Sequence, residues 1–79
     1  MSIEEFDKLD LRGKLEAVEK KAVYIGKREL DSRSAILFQL DSFYVEIIYR
    51  QYRRYIEEIK TSESTDFIAL YLDQIKVEI

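Results

Sequence analysis

Apolar and polar positions alternate most cleanly over residues 36–49, ILFQLDSFYVEIIY, where two apolar runs meet at Asp41 and Ser42. A two-residue turn there sets Leu40 opposite Phe43, Phe38 opposite Val45, Ile36 opposite Ile47 and Ser34 opposite Tyr49. Side chains alternate along a strand, so these residues share one face, and that face is almost wholly apolar. The other face pairs Gln39 with Tyr44, Leu37 with Glu46 and Ala35 with Ile48, a mixed set expected of a half-covered sheet. Asp-Ser is a weaker turn signal than Asn-Gly or Asp-Gly, because serine tolerates positive φ poorly, so the register carries the hairpin more than the turn does.

The remaining elements follow from the same pattern. Ser2 and Glu5 fit a capping box, and Ile3 and Phe6 begin a short apolar stripe. Asp10 is a second N-cap, after which Leu11, Leu15, Val18 and Ala22 recur at helical spacing. The spacing predicts helix over 3–9 and 11–21 with a break near Asp10, and Gly13 weakens the second helix by up to about 1 kcal/mol relative to alanine. Residues 22–30 read as a strand in which Gly26 marks a bulge or a close approach by another element. Strands over 34–40 and 43–50 follow.

The stretch 43–60 has two readings. Val45, Ile48, Tyr49, Tyr52, Tyr55, Ile56 and Ile59 share one helical face, which favours a long helix. The β-branched and aromatic crowding of FYVEIIY and its register with 36–40 favour strand to Arg50, a polar turn over 51–54 and a fourth strand over 55–61. The latter is preferred. TSESTD then supplies an N-cap, Ser64 or Thr65, and Phe67, Ile68, Leu70, Tyr71, Leu72 and Ile75 form an amphipathic stripe predicting helix over 66–74. The expected architecture is a single α+β domain, 1–79: an N-terminal helical segment, an antiparallel meander of three to four strands, and a C-terminal helix packed on one face. The expected core face is Ile36, Phe38, Leu40, Phe43, Val45 and Ile47, covered by Leu11, Leu15, Val18, Ile68, Leu72 and Ile75.

The strings DSFYVEIIY, IEEIKTSESTD and FIALYLDQI resemble a group of small uncharacterised bacterial proteins. In that group a D-F-Y-V-E-V strand precedes a polar hairpin, an S-T-D cap and a terminal Y-L-x-Q-I helix. The resemblance covers 38–79, and more loosely Glu4 to Leu9. It implies strand–turn–strand over 43–60, although the Asn or Gly usual in that turn is missing here, and it implies no activity.

Composition narrows the chemistry. The 79 residues suffice for one domain with a thin core, since a chain this short buries only about 60% of its unfolded surface. Without Cys or His there is no disulfide, no thiolate nucleophile, no imidazole base and no zinc site of the usual kind, so no cofactor or metal is expected. No apolar run is long enough to span a membrane, and the acidic start MSIEEFDKLD has no signal-peptide core, so a cytoplasmic protein is expected. Paired carboxylates are the remaining catalytic option: Glu46 meeting Glu58 across the sheet would raise one pKa. A solvated face with Arg and Lys neighbours is the preferred reading, and the chain is not expected to be an enzyme.

Two surfaces remain. Tyr49, Arg50, Tyr52, Arg53, Arg54 and Tyr55 interleave phosphate-binding cations with stacking rings, and Lys27, Arg28 and Arg33 extend the basic region if the first hairpin lies nearby. This is the nucleic-acid reading, opposed by arginines that pair with Glu57, Glu58 or Asp41 and by a net charge of −3. Tyrosine and arginine are equally the residues of protein interfaces, and six Tyr and four Phe exceed what so thin a core holds. A non-catalytic protein-interaction module, a homo-oligomer or one binding another protein, is the leading expectation. A nucleic-acid module using the Tyr/Arg stretch is the alternative.

Overall fold

The computed structural model describes residues 1–50 and 55–72. Two helices, α1 (Ile3–Asp7) and α2 (Leu11–Lys21), precede four strands, β1 (Val23–Leu30), β2 (Arg33–Leu40), β3 (Phe43–Arg50) and β4 (Ile56–Ser62), and a last helix, α3 (Asp66–Leu72). The strands form one antiparallel meander in the order β1-β2-β3-β4, an α+β fold.

The central hairpin has the expected register at every position from Leu40↔Phe43 to Arg33↔Arg50. Its turn takes positive φ at Asp41 alone (53°), and the turn between β1 and β2 repeats this at Asp31 (29°). Aspartate tolerates the left-handed region better than most residues, so neither serine of the two Asp-Ser turns has to enter it. The long-helix reading of 43–60 is excluded: β3 ends at Arg50, whose N–H donates to Tyr55 O at 3.1 Å as the chain returns into β4. The turn expected over 51–54 lies outside the described residues.

Both N-terminal caps form. Ser2 Oγ accepts from Glu5 N–H while Glu5 Oε1 accepts from Ser2 N–H, which holds the Glu5 carboxyl below its usual range. Asp10 Oδ1 accepts from Gly13 N–H at 2.8 Å. Gly13 earns its place there: a Cβ would lie 3.2 Å from Asp10 Oδ1 and 3.3 Å from Leu9 Cβ, so the cap and the chain reversal before it occupy that space.

Helices cover both faces of the sheet. On the first, Phe6 of α1 and Ala17 and Val18 of α2 are buried with Leu40, Phe43, Val45 and Ile47. The Phe6 and Phe43 rings meet at 5.6 Å. α2 begins beside β4, with Leu11 near Ile56 and Ile59, and ends where β1 starts, so it crosses the sheet. The second face buries Ala35, Leu37 and Ile48 under Tyr71 of α3, with Phe67 and Ile68 packed around it.

This corrects the expected core. Ile68 belongs to the second face, Leu72 is 59% exposed, Leu11 is 54% exposed, and Ile75 lies outside the described residues. The mixed face contains three apolar positions in a row across β2 and β3, and α3 is what removes them from water. Gly26 lies beneath the Tyr71 ring: β1 bulges between Tyr24 and Gly26, and a Cβ on Gly26 would touch that ring at 3.5 Å, leaving no space for a larger side chain.

Candidate functional site

Tyr49 and Arg50 close β3, and Tyr55 stands just before β4, so these three meet at one end of the sheet. Tyr52, Arg53 and Arg54 lie outside the described residues. The cations expected to extend this region divide between the two faces. Arg33 pairs directly with Arg50 across the hairpin, and Lys27 lies on the Tyr49 side of the sheet. Arg28 turns to the other face and is buried beneath α3.

Most of these cations already face carboxylates. Arg50 Nε lies 3.3 Å from Glu57 Oε2, Lys27 Nζ 3.5 Å from Glu29 Oε1, and Arg28 Nη2 3.4 Å from Glu46 Oε2. Tyr49 first and Glu29 after it raise the Lys27 pKa, keeping this exposed ammonium charged. Arg33 alone of these four has no ion pair among the described residues.

Glu46 is the least expected feature. Its side chain is 1% exposed on the second face, among Leu37, Ile48 and Tyr71. Tyr71 Oη donates to Glu46 Oε2 at 2.7 Å, and the Arg28 guanidinium, bound to the same oxygen, lies 5.4 Å from the Tyr71 ring centre. Burial, and then the Glu46 acceptor, push the Tyr71 pKa well up, so the phenol stays a donor. Glu46 does not meet Glu58: Lys60 lies opposite Glu46, and Glu58 opposite Ile48. A carboxylate with a cation and a phenol as partners, sealed under a helix, holds β1, β3 and α3 together. Three distant parts of the chain build it. The available signal was one acid inside the run VEII of β3 and one glycine in the edge strand β1.

A groove of about 260 Å³ opens between the start of α2 and β4. Leu11 and Lys14 of α2 and residues 56–59 of β4 line it, with Leu11, Ile56 and Ile59 apolar; Glu57 is paired with Arg50, and Glu58 lies opposite Ile48 in the register. Tyr55, 44% exposed, precedes Ile56 in the chain. Among the described residues there is no cluster of acids that could hold a metal ion, and no helix long and apolar enough to cross a membrane.

No protein-family model, no curated protein and no solved structure matches the chain. The resemblance of 38–79 to small bacterial proteins therefore rests on its own short strings.

Proposed function

We propose that this chain is a small, non-catalytic protein-interaction module. The carrying observation is how its surface divides. Among the described cations near the end of the sheet, Lys27, Arg28 and Arg50 face carboxylates of the same chain, whereas Leu11 exposes apolar surface at a groove that no described part of the chain fills. Exposed apolar surface gathered around a concavity is the mark of a contact site. The carboxylate best placed for chemistry, Glu46, is enclosed, which supports a non-catalytic reading. A cytoplasmic, bacterial setting accompanies this proposal, supported by the cysteine-free composition and the resemblance above.

The alternative is a nucleic-acid contact at Tyr49, Arg50, Tyr52, Arg53, Arg54 and Tyr55. Arg33 beside Arg50 favours it, because two like charges stand directly opposed on the sheet and Glu57 pairs with only one of them. Affinity capture on the immobilised chain, with and without nuclease, separates the two. Protein retained equally in both samples supports the interaction module. Capture that vanishes with nuclease and falls steeply with salt overturns it.

A further inference from the structure

The two faces of the sheet bury separate clusters of side chains, and α3 contributes only to the second. A helix of seven residues does not hold its shape alone, so α3 depends on what it packs against. Of its large side chains only Tyr71 is fully buried. Phe67 and Ile68 are half-buried, and Leu70 and Leu72 are 47% and 59% exposed. Residues 63–65, which join it to β4, are exposed, and the hydrogen bonds there are local: Ser64 N–H donates to Ser62 Oγ and Asp66 N–H to Ser64 Oγ. The hold of α3 on the sheet is therefore concentrated in one side chain, whose ring lies against Gly26 and whose hydroxyl donates to Glu46.

The charged pair beneath it is incompletely satisfied while α3 is in place. Arg28 Nε is buried with no hydrogen-bond partner among the described residues, and Arg28 Nη2 reaches Glu46 Oε2 only at 3.4 Å. Lifting α3 exposes Ala35, Leu37 and Ile48, which opposes opening, but it also hydrates the guanidinium and the carboxylate, which offsets part of that cost. The buried cluster of the first face is wholly apolar and has no such offset.

We infer that α3 is a latched cover, which lifts from the second face as one unit about residues 63–65 while α1, α2 and the sheet stay folded, with the Tyr71 hydroxyl on Glu46 as its latch. Lifted, it opens a face that carries Ala35, Leu37 and Ile48 beside the Arg28–Glu46 pair, on the side of the sheet opposite α1 and α2. This motion goes beyond the interaction-module reading and does not depend on it.

Native-state hydrogen exchange of the backbone amides, read by NMR in dilute urea, tests it on the wild type, Tyr71→Phe, Val18→Ala and Phe6→Leu. In the wild type, residues 69–71 should be at least about tenfold less protected than residues 45–47 of the central strand β3, and their exchange should hardly respond to urea, because lifting α3 exposes little surface. Tyr71→Phe should speed residues 69–71 at least about tenfold by removing a hydrogen bond to a charged group. Val18→Ala and Phe6→Leu lie in the first-face cluster. Each lowers the stability of the whole fold and should speed residues 45–47 about tenfold or more while leaving residues 69–71 unchanged. Protection of residues 69–71 equal to that of residues 45–47 overturns the inference. So does a first-face variant that speeds both sets by the same factor, or Tyr71→Phe leaving residues 69–71 unaltered.

Discussion

Replacing Tyr71 by Phe tests what holds α3 to the sheet. The change keeps the ring over Gly26 and removes only the hydroxyl that donates to Glu46 at 2.7 Å. The carboxylate that remains is 1% exposed and retains the guanidinium of Arg28 at 3.4 Å, near the limit of a hydrogen bond. A hydrogen bond to a buried charged group contributes about 1.5–3 kcal/mol, and that is the expected loss. For a domain of this size it lowers Tm by on the order of 10 °C. Glu46→Leu should cost more, about 3–5 kcal/mol, because Arg28, only 18% exposed, is left as a nearly buried charge without a counterion. The triple replacement Arg28→Met, Glu46→Leu, Tyr71→Phe removes all three polar partners together and should recover most of what Glu46→Leu loses. Urea denaturation followed by circular dichroism measures all three. Tyr71→Phe within about 0.5 kcal/mol of wild type would refute the reasoning, since surface substitutions do no more than that. So would a triple variant no more stable than Glu46→Leu.

The same ring makes Gly26 selective for size. Gly26→Ala should stay within about 0.5 kcal/mol of wild type, because its Cβ meets the ring at ordinary contact distance, whereas Gly26→Leu should displace Tyr71 and cost at least as much as Tyr71→Phe in the same denaturation assay. Gly13→Ala should fail to deliver the gain of about 1 kcal/mol that helix propensity promises, because the new Cβ crowds Asp10 and Leu9. The raised Tyr71 pKa sets a pH dependence. Above the ordinary value of 10.0 the unfolded phenol loses its proton while the folded one keeps it, so stability falls as pH rises. Thermal unfolding followed upward from that pH should show a steeper fall for wild type than for Tyr71→Phe.

The hairpin was legible because period-two alternation admits only one register that gathers Ile36, Phe38, Leu40, Phe43, Val45 and Ile47 on one side. A slip by one residue would have scattered them. The caps at Ser2 and Asp10 were equally local and form as the sequence predicts. The side of the sheet taken by α3 was not legible, because amphipathic periodicity says which face of a helix is apolar and not which sheet face it seeks. Ala35, Leu37 and Ile48 did lie together on the mixed face, and their need for cover was the overlooked clue. Glu46 misled for a related reason: an acid on a strand usually marks a solvated position, and its partners come from β1 and α3. Of the Tyr/Arg stretch, the placement of Tyr49 and Arg50 at the end of β3 followed from the register. The pairing of Arg50 with Glu57 depended on the return path of the chain, and Glu57 was among the partners its composition suggested.

The most direct measurement of the central claim is a backbone amide NMR spectrum of the labelled chain, recorded while the protein retained in the affinity capture is titrated in. A protein-interaction surface at the α2–β4 groove predicts shifts gathered at Leu11, Lys14, Ile56 and Ile59 as the captured protein is added, with the amides of β2 unmoved. Shifts confined instead to Tyr49, Arg50 and Arg33, or a spectrum that does not change as it is added, would contradict it.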